Sequence, residues 1–315
     1  IVDKKIKIIT NNGYLLILDK NFKIIKFIDF SKILNNFYTD YAYGGIRAAK
    51  WINSENFIIY STIKDIDSYK ITLTSFKISK KFDLEIIDIL DLGNLPKQDG
   101  TTSSLGGGIE FKDNVLYLSI GTTAVPNEFQ INDLAQLENN NFGKILKIFI
   151  DENKKFKKIN LIAKGSRNSQ GLLIINKTLL SVEHGPQGGD EINHIKIDES
   201  HNNILNFGWP NFSYGLPYHN EIPYADSELK NIENKNFEKF YNDKDNKYVK
   251  PIFYFTPSIA ISHIASCPFY NTEYDQYKNC FIVSSLKDKS IYIIKYENIN
   301  DNLIIKSTEK IFIGN

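Results

Sequence analysis

The chain is written almost entirely in strand-sized apolar runs. KIKIIT, YLLILD, FKIIKFIDF, NFIIYST, YKITLTSFKI and LEIIDIL fill its first third, and VLYLSIG, GKILKIFID, TLLSVE, NCFIVSS, SIYIIKY and NLIIKST follow. Each is rich in β-branched and aromatic residues and bounded by Asn, Asp, Gly or Lys clusters. NNG before Tyr14, KDN before Val115 and KDK before Ser290 carry hairpin-turn chemistry. Helical periodicity is nearly absent. INDLAQLENN is expected to form a short helix, and SELKNIENKNFEKFYNDKDNKY reads as a polar insertion, partly helical or mobile, around 226–248. Short strands without intervening helices restrict the fold to a sandwich, a barrel or a propeller. One unit recurs: strand, tight turn, second strand ending in a small residue, then a polar loop. Its instances are IEFKDNVLYLSIGTT, LLIINKTLLSVEHG and YKNCFIVSSLKDKS. Blades around an axis, with these loops on one face, would produce that pattern. The self-similarity is weak, so the pattern alone leaves the sandwich and barrel open.

Bulk properties narrow the function. With 38 basic and 37 acidic residues the net charge is +1, which gives no electrostatic reason to expect nucleic acid or an anionic membrane as the main partner. No apolar run reaches the ~18 residues that span a bilayer. The absence of methionine makes Ile1 an expected processed or trimmed end. Cys267 and Cys280, the two cysteines, exclude a disulfide-rich scaffold and a Cys-based zinc cluster. They flank a β-connection, and two buried free thiols are expected ahead of one bridge.

Four stretches carry chemistry. In SRNSQG, Arg167 offers a planar two-pronged donor and Asn168 can donate and accept. Read alone, they are a surface Arg and a turn Asn. EHGPQGGDEIN packs Glu183, His184, Asp190 and Glu191 around a Gly-Pro and a Gly-Gly. A kinked Gly-Pro backbone can turn carbonyls outward toward a hard cation, and Asp190 could orient the loop or cap its amides. His184 is a poor match to calcium. SSLK sets Lys287 after a strand, ordinarily a solvated turn lysine. PIFYFTPS offers Phe253, Tyr254 and Phe255 as aromatic walls or plain core, with Ser258 as a hydroxyl donor. Trp209, in FGWPN, reads as packing.

Taken in order, these stretches resemble the glucose/sorbosone dehydrogenase family. The run KGSRNSQGLLIINKTLLSVEHGPQGGDEINHI followed by NFGWPNFSYG carries most of the likeness. GGIEFKDNVLYLSIG, FGKILKI, PIFYFTPSIAIS and NCFIVSSLKDKSIYII extend it over Gly106 to Tyr296, with a thinner match at YGGIRAAKWINSENFIIYST. The resemblance implies a single domain over 1–315, an all-β six-bladed β-propeller of the soluble quinoprotein type, incomplete at both termini. It implies pyrroloquinoline quinone (PQQ) and calcium as cofactors, a small-molecule sugar as substrate, a separate electron acceptor and a periplasmic or secreted location. Arg167, Asn168, Lys287 and Ser258 would hold the quinone, and the carbonyls of Gly185 and Pro186 would hold calcium.

The likeness also has gaps. The family's general base is a His directly before a short Gly-Gly-Arg segment, and SSLGGGIEF puts Ser104 at the His position and Gly108 at the Arg position. A serine hydroxyl is too weak a base near neutral pH without an activating partner. Tyr43 stands where relatives often carry Gln, and the Arg-x-Arg segment of the family's last blade would follow Asn315. His263, in IAISHIAS, is the candidate substitute base. The expected activity is therefore an aldose dehydrogenase-like oxidation, impaired if Ser104 has no stand-in. The alternative is a non-catalytic propeller that binds a sugar, a glycan or a protein through the same face.

Overall fold

The computed structural model describes residues 5–39, 44–66, 68–95, 104–122, 133–185, 188–197, 203–214, 247–267, 279–300 and 302–314. Near-continuous apolar runs such as Phe57–Tyr60 and Leu179–Val182 put buried side chains on both faces of the central strands, so these sheets must be covered on both sides. Five sheets result among the described residues. The first holds β1 (Ile6–Ile9), β2 (Tyr14–Leu18) and β3 (Ile24–Asp29). The second holds β4 (Ile46–Trp51), β5 (Asn56–Lys64), β6 (Tyr69–Ile78) and β7 (Leu84–Asn94). The third holds β8 (Ile109–Lys112), β9 (Val115–Ile120), β10 (Lys144–Ile150) and β11 (Phe156–Lys164). The fourth begins with β12 (Ser169–Ile175), β13 (Thr178–Glu183) and β14 (Asp190–Lys196). A short β15 (Leu205–Asn206) returns to lie parallel to β11, and β16 (Phe253–Phe255) completes the fourth sheet beside β14. The fifth holds β17 (Ile261–Ser266), β18 (Cys280–Ser285), β19 (Ser290–Ile299) and β20 (Asn302–Phe312). All other pairings among these strands are antiparallel between neighbours in sequence.

The first strands of successive sheets adjoin, β4 to β8, β8 to β12 and β12 to β17, as blades do around an axis. Faces pack in turn. Phe57, Ile59 and Phe76 of the second sheet meet Leu15, Ile17 and Phe30, while Ile58, Tyr60 and Leu73 on its other face meet Leu116, Leu118 and Ile148 of the third. Ile145 and Ala163 meet Leu172 and Leu179, and Leu180, Val182 and Ile192 meet Ile264, Phe281 and Val283. This is the all-β propeller anticipated from the sequence. Against the expected six blades, the described residues build five.

Local signals behave as their chemistry demands. Asp113 and Asn114 take φ of 51° and 60°, giving a two-residue hairpin between Lys112 and Val115. Two expectations are corrected. Cys267 and Cys280 are joined by a disulfide, with Cα atoms 5.6 Å apart, rather than held as free thiols. Within the described part of INDLAQLENN, residues 133–140, the helical element is a 3-10 turn, Asp133–Ala135. The carbonyls of Leu134 and Ala135 accept from the Lys144 ammonium instead of from a continuing helix. The polar insertion up to residue 246 lies outside the described residues.

Candidate functional site

The loops after the inner hairpins converge through a continuous line of hydrogen bonds. Gly106 begins it, donating its N–H to Asn168 Oδ1 at 3.1 Å. Only glycine suits that position: its φ is +70°, and a Cβ would sit 2.7 Å from Gly121 N and 2.8 Å from the carbonyl oxygens of Ser119 and Ser169. Ser104, two residues earlier, is buried, and Tyr60 donates to the carbonyl of Leu105 from the second sheet at 3.1 Å. Arg167 and Asn168 lie immediately before β12. Arg167 Nη1 donates to the His184 carbonyl at 3.1 Å, and its guanidinium lies 5.5 Å from the centre of the Trp209 ring. Asn168 in turn accepts the His184 N–H on its carbonyl at 3.2 Å.

Gly185 continues the line by donating its N–H to Asp190 Oδ1 at 3.0 Å. A Cβ on Gly185 would lie 2.1 Å from the Gly188 carbonyl oxygen and 2.4 Å from that of Gly189, so two main-chain oxygens crowd this kink. Asp190 is fully buried and also accepts from Ser258 Oγ at 2.9 Å, Ile259 N at 2.9 Å and Ile261 N at 3.2 Å. From Ile259 the line passes to the last loop, because its carbonyl accepts the Lys287 N–H at 3.2 Å. Arg167, Asn168, Gly185, Ser258 and Lys287 therefore lie along one hydrogen-bonded run of loops, a rim whose first member, Gly106, follows Ser104 by two residues. Lys287 is exposed there, Arg167 and Gly185 are half-buried, and Asn168 is buried. His263 is exposed on β17, two residues beyond the Ile261 N–H that Asp190 holds. Pro186 and Tyr43 lie outside the described residues. Of the aromatic walls, Phe255 is core, Phe253 packs against it and Tyr254 is exposed.

A buried acidic pair stands behind Arg167. The β13–β14 register places Glu183 opposite Glu191. Glu183 accepts from Ser166 Oγ at 2.6 Å and from the Arg167 N–H, while Asn193 Nδ2 donates to Glu191 at 3.1 Å. Burial pushes Glu183 up to about 7, against the lowering effect of the Ser166 hydroxyl and the Arg167 N–H. Glu191 is raised well above the usual carboxylate range, first by burial and then by the charge of Glu183. Burial lowers the His184 pKa, opposed by Asp190. His184 Nε2 is buried without a hydrogen-bond partner among the described residues. Sequence reasoning named Asp190 but missed this pairing, whose only trace was the position of Glu183 and Glu191 at the two ends of one loop.

Among the described residues no group of three or more His, Cys, Asp or Glu could hold a metal, and no helix is long and apolar enough to cross a membrane. The oxygens that crowd the Gly185 kink are the main-chain carbonyls of Gly188 and Gly189.

Known proteins share this architecture. Aldose sugar dehydrogenase YliI of Escherichia coli (strain K12) is 31% identical over 134 residues, 41% of this chain and 30% of that protein's length. The crystal structure of the soluble aldose sugar dehydrogenase from Escherichia coli in the apo-form superposes with a TM-score of 0.68 at 19% identity, over 98% of this chain and 84% of that one. A Thermus thermophilus protein described as an oxidoreductase (glucose dehydrogenase) gives 0.66 at 17% identity, over 100% and 83%. At such identities the structures speak for the fold alone. The family model described as Glucose / Sorbosone dehydrogenase matches residues 51–313, most of the chain, so the chain belongs to the glucose/sorbosone dehydrogenase family.

Proposed function

We propose that this protein is a sugar dehydrogenase-like oxidoreductase that binds PQQ and calcium at the rim joining Arg167, Gly185 and Lys287. The observation that carries the reading is the unbroken hydrogen-bond line from Gly106 through Asp190 to Lys287, which runs through loops of three sheets. The side chains suit a planar polyanion. Arg167 and Lys287 supply two cations, Asn168 an amide, Ser258 a hydroxyl, and His184 Nε2 is a buried polar atom with no hydrogen-bond partner among the described residues. The crowded carbonyls beside Gly185, with the Asp190 carboxylate one hydrogen bond behind, suit a hard cation. When bound, the quinone would supply the hydride-accepting centre and calcium the Lewis acid that polarises its carbonyl.

The chain's own residues then have defined tasks. Arg167, braced on the Trp209 ring and the His184 carbonyl, would orient an anionic edge. Lys287 would neutralise a second anionic group. Asp190 would hold the Gly185 kink and the Ser258–Ile261 turn in register, a single carboxylate tying two sheets. Removal of the sugar's anomeric proton needs a base; Ser104 holds the family's base position but is too weak to serve without an activating partner, so His263 would be the stand-in. The disulfide supports a periplasmic or secreted location, since such bonds persist in oxidising compartments.

Ser104 favours a second reading, in which the same rim binds a sugar, a glycan or a protein without turnover. Dye reduction with a panel of aldoses, with PQQ and calcium added, separates the two. If His263 serves as base, the native chain turns over and Ser104→His changes kcat little; if the chain lacks only the base, Ser104→His raises turnover by about tenfold or more. Saturable PQQ binding with no turnover in either protein would favour the second reading.

A further inference from the structure

Lys144 opens β10 in a run, GKILKI, that reads as an ordinary strand, yet its side chain is wholly buried. Its ammonium donates to three main-chain carbonyls: Leu134 at 2.7 Å, Ala135 at 3.1 Å and Phe142 at 2.6 Å. Three protons meet three acceptors, which a neutral amine with two protons could not satisfy. Burial, with the nearby positive charge of Lys164, pushes its pKa down to about 8, and Glu138 opposes this. A charge so placed is costly unless its partners are held for it.

Those partners sit directly beneath the rim. The Ala135 carbonyl that Lys144 holds also accepts the Gly165 N–H at 2.9 Å, and the Ser166 N–H donates to the Gly143 carbonyl at 3.2 Å. Next along, Gln136 Nε2 donates to the Trp209 carbonyl at 2.6 Å, and Trp209 N donates to the Gly165 carbonyl at 2.9 Å. There is no slack at this junction: a Cβ on Gly143 would sit 2.5 Å from Ala135 Cβ and 2.7 Å from the Ser166 carbonyl oxygen. Arg167 follows at once, its guanidinium over the Trp209 ring.

We propose that Lys144 is a positioning residue, a built-in cation that braces the 134–143 segment and through it sets the Gly165–Arg167 turn and the Trp209 ring. Its effect on ligand affinity rests on the quinone reading above; its effect on Trp209 does not.

The test uses the full chain with Trp51→Phe, leaving Trp209 as the one tryptophan. In Lys144→Ala, Trp209 emission should shift to longer wavelength and the PQQ Kd in calcium should rise by about tenfold or more. Propylammonium, which replaces the deleted atoms and charge, should restore both, whereas sodium chloride at equal ionic strength should not. If Lys144→Ala does not fold, Lys144→Arg against Lys144→Met carries the test: Arg should keep the native emission and affinity, and Met should lose them. Unchanged emission in Lys144→Ala, or equal behaviour of Arg and Met, would overturn the proposal. A native chain that binds no PQQ would instead remove the quinone reading, and the Trp209 arm would still decide the role of Lys144.

Discussion

Between the first and second sheets, Phe30, Phe57 and Phe76 pack with ring centroids 5.1–6.2 Å apart in a seam built from aromatic and aliphatic side chains. Where the fourth and fifth sheets meet at the rim, the seam is instead a buried carboxylate: Asp190 with four donor groups from Gly185, Ser258, Ile259 and Ile261. Both seams exclude water. The apolar one tolerates small shifts because dispersion and burial are non-directional. The polar one does not, since each donor it leaves unpaired carries its own desolvation penalty. Directional bonding thus serves the rim, where loops from different blades must keep a fixed arrangement, and non-directional packing serves the seam that holds only sheet against sheet.

That contrast can be broken experimentally. The largest effect should come from Asp190→Ala, which strands three main-chain N–H groups and a hydroxyl. Urea unfolding should show a loss of about 4–6 kcal/mol, and calcium should no longer raise the melting temperature. Phe57→Ala should cost slightly less, about 3–4 kcal/mol, by opening a cavity in the apolar seam. Its folded fraction should bind PQQ within about twofold of native, because nothing at the rim depends on that seam. A large affinity loss in Phe57→Ala would show that the two seams are coupled.

A smaller effect tests the acidic pair behind Arg167. Glu183 and Glu191 both hold their protons above the ordinary carboxylate range in the folded chain. Between the unfolded and folded pKa values the native state thus binds more protons, and stability must fall as pH rises. In calcium-free buffer the native chain should lose about 1–3 kcal/mol between pH 5 and pH 8, and Glu191→Gln should flatten that slope. A native slope of the opposite sign would mean that the pair is charged and paired in the folded state.

How much of this could be read in advance follows the range of the interactions. The strands were legible because short apolar runs, β-branching and turn residues such as Asp113 and Asn114 act over a few positions. Arg167, Asn168, Gly185 and Lys287 were legible as motifs, each beside a recognisable strand end. What joined them was not: Asp190 meets Ile259 across 69 positions, and Gly106 meets Asn168 across 62. Lys144 was missed for a related reason. Its burial is imposed by carbonyls of the preceding segment, and nothing in GKILKI distinguishes it from Lys147 three positions on. The disulfide was misjudged because a spacing of 13 residues gives no distance until β17 and β18 pair.

The most direct test of the account is equilibrium binding of PQQ to the native chain, with calcium and with a chelator, set against Arg167→Ala/Lys287→Ala. Saturable, calcium-dependent binding is expected, with a Kd in or below about the micromolar range, weakened by about a hundredfold in the double variant. Binding that ignores both calcium and the two cations, or no saturable binding at all, would contradict it.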